Sequence, residues 1–180
     1  MDRTQANTGT REVAERLRFD EAALTRWMEQ NVEGFAGPLT VRQFKGGQSN
    51  PTYRLDSPSG AYVLRRKPPG KLLPGAHAVD REARVMSALG AHGFPVPRVF
   101  GLCEDESIIG TPFFVMAMVE GRIVWDASFP GLTPTDRPPH LHAMNATMAQ
   151  LHSYEPSEIG LGDYGRATGF VERQVARWSK

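Results

Sequence analysis

Four groups of residues in this chain have the types and spacing to do chemistry together. Gly46, Gly47, Gln48, Ser49 and Asn50 form a glycine turn between two strand-like runs. Without a Cβ, Gly46 and Gly47 let backbone N–H groups approach phosphate oxygens, and Ser49 and Asn50 add side-chain donors. Tyr62-Val63-Leu64-Arg65 is a strand carrying a cation, and Glu82 is an acid 17 residues further on. Phe113 to Val119 is an apolar run opening into Glu120-Gly121, where backbone C=O and N–H groups can face a cleft and serve a purine edge. Each group also has a plain structural reading. A Gly-Gly hairpin is often only a turn, Arg65 a solvated strand end, Glu82 an i,i+4 helix charge, and Phe113–Val119 a core strand. No Gly-Lys-Ser/Thr follows the glycines, so a Walker-type loop is excluded.

The elements around these groups are set by periodicity and by Gly/Pro punctuation. Residues 1–18 read as a loose polar tail with a helical turn. Asp20 is placed as an N-cap, with Phe19 and Leu24 at hydrophobic-staple spacing, and the helix it opens carries Leu24, Trp27, Met28 and Val32 on one face. Gly34 and Gly37-Pro38 close it. Strands are expected at Leu39–Phe44, Thr52–Leu55, Ala61–Lys67, Val99–Cys103 and Phe113–Val119, the last buried on both faces. Glu104–Ser107 reads as a polar turn.

A helix over Asp80–Leu89 turns Ala83, Val85, Met86 and Leu89 toward the sheet, with Glu82 on the edge of that face. Alternation along the strand puts Arg65 on the face opposite Leu64 and beside Val63 and Lys67. An acid on the helix edge can then pair with a strand cation. Residues 120–139 have loop composition; Leu141, Met144, Met148 and Leu151 mark a helix over His140–His152, and a last helix runs into Arg177-Trp178-Ser179-Lys180 without a stop signal.

Composition sets outer bounds. At 180 residues, 40% hydrophobic and 23% charged, with a net charge of +1, the chain reads as one globular domain or one plus part of a second, with no bulk charge to favour nucleic acid or a membrane surface. The single cysteine, Cys103, allows no internal disulfide. No apolar stretch approaches the ~20 residues that span a bilayer, and the polar N-terminus has no signal-peptide core. A cytoplasmic protein is the expectation. His140 and His142 are two apart on a helix, and so point to different faces and cannot share a metal.

Taken together, Gly46 to Tyr53, Tyr62 to Gly70, Asp80-Arg81-Glu82, Phe114 to Gly121 and the Leu151-His152 helix end resemble the aminoglycoside phosphotransferase/choline kinase-like family, in the branch associated with acyl-CoA dehydrogenases. The resemblance covers roughly residues 38–178. It implies an α+β, protein kinase-like fold: an N-terminal tail and helix (1–37), an ATP-binding N-lobe of antiparallel sheet plus helix (38–121), and the first helices of an incomplete C-lobe (122–180). Gly46, Gly47, Gln48, Ser49 and Asn50 would form the phosphate loop. Arg65, where many members have Lys, would contact nucleotide and pair with Glu82. Met116 would be the gatekeeper, and the Ala117 carbonyl and Val119 amide would hold adenine.

ATP and magnesium are the implied cofactors, and the implied activity is phosphorylation of a small-molecule hydroxyl. The family's His-Gly-Asp-x-x-x-x-Asn loop and later magnesium Asp are missing. Leu161-Gly162-Asp163 lacks the His, Thr168 stands where Asn is required, and no Asp follows. The chain therefore reads as a nucleotide-binding half without catalytic or metal residues, or as a non-catalytic nucleotide- or protein-binding module. Self-association through the uncovered faces of its last helices is a further expectation.

Overall fold

A computed structural model describes residues 7–46, 49–73, 75–124, 126–166 and 168–179. The expected phosphate-loop residues Gly47 and Gln48 lie outside the described residues. Six strands, β1 (Thr10–Arg11), β2 (Thr40–Phe44), β3 (Thr52–Ser57), β4 (Gly60–Arg66), β5 (Val99–Cys103) and β6 (Phe113–Ala117), form one antiparallel sheet in the order β1-β2-β3-β4-β6-β5. The helices are α1 (Glu21–Asn31), α2 (Val79–Ala91), the one-turn α3 (Glu106–Ile109), α4 (Arg137–His152) and α5 (Phe170–Trp178).

The period-2 alternation of the strands divides two packing layers. On one face Val41, Tyr53, Leu55, Tyr62, Leu64, Phe113 and Val115 are buried with Leu24 and Met28 of α1 and with Val32 just after it. The Asp20 carboxylate accepts from the Ala23 N–H at 2.9 Å and caps that helix. On the other face Phe114 packs with Val79 and Ala83 of α2, flanked by Met86, Val99 and Met116. Phe113, Phe114 and Val115 are fully buried, so β6 is covered on both faces as its apolar run predicts, although the strand ends at Ala117 rather than Val119.

The structure departs from the sequence reading at three places. The polar tail supplies an edge strand, β1, with Thr10 opposite Phe44 and Arg11 opposite Gln43. A 3-10 turn at Glu15–Leu17 follows, tied to the core by the Tyr53 hydroxyl, which donates to the Leu17 carbonyl at 3.1 Å. The expected turn at Glu104–Ser107 is instead the start of α3, capped by the Asp105 carboxylate and ended by Gly110 at φ 85°. Helix α4 starts at Arg137 rather than His140. Pro138 and Pro139 fit its first turn because the N–H groups there have no intrahelical partner to lose.

A third apolar cluster joins α2 to the chain after α4: Leu89 with Ile159 and Leu161, flanked by Val85, Phe94, Tyr154 and Tyr164. Elsewhere α4 and α5 bury none of their side chains among the described residues. No helix among the described residues is long and apolar enough to cross a membrane.

Candidate functional site

The site is built where α2 meets the sheet face that carries Arg65. Helix α2 packs over β5 and β6. On β4, Val63 and Arg65 share the face of Phe114 and Met116, their cross-strand neighbourhood on β6. That register sets the cation against the helix. Arg65 Nε donates to Glu82 Oε2 at 2.5 Å, and its Nη2 donates to Glu82 Oε1 at 3.3 Å. The fork is two-pronged, which a lysine could not reproduce.

The remaining bonds close a circuit. Arg65 Nη1 donates to Thr52 Oγ1 at 3.1 Å, across the β3–β4 ladder. Thr52 Oγ1 donates in turn to the Asn50 carbonyl at 3.1 Å. Asn50 Nδ2 donates to Glu82 Oε1 at 2.9 Å. The foot of the glycine turn, the strand cation and the helix acid are thus one bonded unit. Asn50 is 3% exposed, so the side chain expected as a phosphate donor is turned inward, whereas Ser49 is exposed.

A guanidinium has five N–H donors. Three are used among the described residues, which leaves one on each terminal nitrogen for an anionic oxygen. The Arg65 side chain is 27% exposed, so it is reachable as well as held. This donor set fits phosphate.

Further along the same face, Met116 is half-buried. The Ala117 N–H donates to the Arg98 carbonyl at 2.8 Å, while the Val119 N–H has no backbone partner among the described residues. Arg54 of β3 bonds Asp56 at 2.9 and 3.0 Å and reaches Glu120 at 3.7 Å, tying the sheet to the segment after β6. The sequence reading did not include that tether.

His77 was missed as well. Its Nδ1 lies 2.7 Å from Asn50 Oδ1, and its backbone is left-handed at φ 57°. A histidine two residues before a helix carries no pattern that announces such a bond. Among the described residues, no group of three or more His, Cys, Asp or Glu side chains gathers to hold a metal.

On its outer side α2 is clasped by the chain after α4. Arg84 donates to the Gly160 carbonyl at 2.9 Å and forms a close ion pair with Asp163, whose carboxyl is held below the usual carboxylate range mainly by that hydrogen bond. Arg81 donates to the Tyr164 carbonyl at 2.8 Å and stacks its guanidinium 4.1 Å from the Tyr164 ring. Asp163 is therefore committed to α2.

An antiparallel sheet whose strand cation, Arg65, is paired to the helix acid Glu82, with the buried strand β6 beside it, is the arrangement of a protein kinase-like phosphotransferase module. The chain belongs to the phosphotransferase enzyme family, which it matches over residues 40–180. It is 48% identical to a solved aminoglycoside phosphotransferase-like protein from Ralstonia eutropha JMP134, with a TM-score of 0.77 over 90% of this chain and 46% of that one. It is also 48% identical over 176 residues to acyl-CoA dehydrogenase family member 11 of Gallus gallus, and 44% identical over 180 residues to that of Homo sapiens. Those alignments take in 96% of this chain but only 22% and 23% of the relatives, so the chain spans less than a quarter of their length.

Proposed function

We propose that this chain is the nucleotide-binding half of an ATP-dependent phosphotransferase that acts on a small-molecule hydroxyl. The observation that carries the proposal is the closed circuit of Arg65, Thr52, Asn50 and Glu82 at the foot of the glycine turn. In this reading the turn from Gly46 to Asn50 cradles phosphate through its backbone, and Arg65 offers its two spare N–H groups to the same phosphates. Glu82 fixes the fork and limits the local positive charge. Met116 borders the adenine pocket, and the Ala117 carbonyl and Val119 amide supply its polar edge.

ATP would bring the transferable phosphoryl group; this chain's part is to bind and orient it, since such catalysis is mostly positioning and charge stabilisation. For magnesium, the described residues gather no group of three or more His, Cys, Asp or Glu side chains. No His-Gly-Asp-x-x-x-x-Asn string occurs in these 180 residues, so the part proposed for them is binding and orientation.

The test is titration of the chain with the β,γ-imido analogue of MgATP. Arg65→Met is expected to weaken binding by about tenfold or more, the effect of losing ~1.4 kcal/mol or more of charge-assisted hydrogen bonding, with an unchanged circular dichroism spectrum. Arg65→Lys, which keeps charge but loses the fork, should fall between. Equal affinities in all three proteins would refute the phosphate role. The exposed apolar faces of α4 and α5 favour a second reading, a protein-binding module without catalysis. Partner capture indifferent to nucleotide, together with no analogue binding, would establish it.

A further inference from the structure

We infer that His77 is a positioning residue for the phosphate loop: it locks the Asn50 side-chain amide in the one orientation that braces Glu82. The inference rests on the nucleotide reading above and extends it to a residue outside the loop.

The argument starts from which atoms can donate. An ionised carboxylate only accepts, so the Asn50 atom 2.9 Å from Glu82 Oε1 must be the NH2 group. The other end of the amide is then the carbonyl oxygen, and it faces His77 Nδ1 at 2.7 Å. An acceptor on that side requires a proton on Nδ1. His77 therefore donates, and flipping the amide would set Asn50 Oδ1 against Glu82 Oε1 and force the ring into its other tautomer. Because Asn50 is 3% exposed, water is poorly placed to substitute for the lost partner.

The backbone supports the same role. His77 sits at φ 57°, a region most side chains avoid but Asn, Asp and His enter more readily, and the Val79 N–H donates to its carbonyl at 2.9 Å as α2 begins. The His77 backbone is thus tied to the start of the helix that carries Glu82. The order of support runs from α2 through His77 to Asn50, and from Asn50 to both the glycine turn and Glu82.

Three variants separate positioning from turn formation. His77→Asn keeps the left-handed backbone accessible and puts an amide NH2 close to where Nδ1 stands. His77→Gly keeps the backbone but has no donor, and His77→Gln reaches instead to the position of Nε2. The 180-residue chain and each variant are read by solvent exchange of the Asn50 side-chain NH2 in NMR and by titration with the β,γ-imido analogue of MgATP. The expected result is slow Asn50 exchange in the wild type and His77→Asn. In His77→Gly and His77→Gln exchange should be faster and the analogue should bind roughly two- to tenfold more weakly, the range of one hydrogen bond.

If His77→Gly matches the wild type in both readouts, His77 serves only the turn and the inference falls. Absence of analogue binding by the wild type would instead overturn the nucleotide reading. The exchange signal would still decide whether His77 holds Asn50.

Discussion

The sheet lobe and the helices that follow it are built from similar apolar residues, yet they use them differently. In the sheet, Tyr53, Leu55, Leu64, Phe113, Phe114 and Val115 are fully buried between α1 on one side and α2 on the other. In α4 and α5, Leu141, Met144, Met148, Phe170, Val171, Val175 and Trp178 are all more than half exposed. The stretch from Tyr154 to Tyr164 bridges the two regions, through Ile159, Leu161 and the Arg81 and Arg84 clasp on α2. Stability here resides in the sheet lobe, where Arg65 of β4 is paired with Glu82 of α2. An element with helical spacing but nothing to pack against contributes little, because most helical stability in proteins comes from burying a face.

The widest gap between the regions should appear on truncating matched side chains. Phe114→Ala, at a fully buried position between β6 and α2, is expected to cost about 3–5 kcal/mol in denaturant unfolding. Leu64→Ala on the opposite face should cost about 2–5 kcal/mol. A loss below 1 kcal/mol at both sites would mean that the sheet is not the cooperative core.

A smaller effect, of opposite sign, tests whether every buried residue of the sheet helps it. Arg66 is 2% exposed, its guanidinium lies 5.3 Å from the Phe19 ring centre, and its Nη1 has no hydrogen-bond partner among the described residues. Burial pushes its pKa below the usual arginine range. Arg66→Met keeps the stem that packs and removes the desolvated charge. It should leave the unfolding midpoint unchanged or raise stability by about 1 kcal/mol, since apolar replacement of a poorly satisfied buried ion is often neutral or better. A large destabilisation would show that the contact with Phe19 outweighs the desolvation.

The bridge between the regions should respond to acid. Asp163 has a folded pKa depressed by the Arg84 hydrogen bond, so its contribution is fully present above the ordinary carboxylate value. That contribution is lost as pH falls through the lower folded value. Amide exchange at residues 157–164 should therefore show protection that falls below roughly pH 4 in the wild type. In Asp163→Asn the protection should already be reduced at neutral pH and lack that acid step. Since the pair is solvent-exposed, global stability should hardly move.

Much of this division was legible beforehand, for a physical reason. Strand alternation assigned Leu64 and Arg65 to opposite faces, and the helix pattern put Glu82 at the edge of the face that meets the sheet. Two local periodicities were enough to bring a cation and an acid 17 residues apart into a pair. The Asp20 cap was readable for the same reason, being a contact three residues long.

What escaped were features without a period. Strand β1 is only two residues, too short to show an alternation, and the His77–Asn50 bond spans 27 residues from an irregular loop. Helix α3 had its signals in Asp105 and Gly110, but one turn of helix and a polar turn share them. The role of Asn50 was only half visible: its place in the glycine turn suggested a donor to ligand, whereas its burial makes it a brace.

The smallest effect on folding is expected where the exposed apolar area is largest. Val175→Ser and Met144→Ser each change a side chain that is more than half exposed on a helix with no buried residue, so each should shift unfolding by no more than about 0.5 kcal/mol. The same substitutions remove part of an uncovered apolar surface, and such surfaces promote association. Made together, they should lower binding of an apolar-surface dye and shift sedimentation toward the monomer while leaving the denaturation curve in place. If the curve moves by 2 kcal/mol or more, α4 and α5 pack in solution onto the sheet lobe or onto another copy, and the contrast between the two regions would be smaller than their exposures imply.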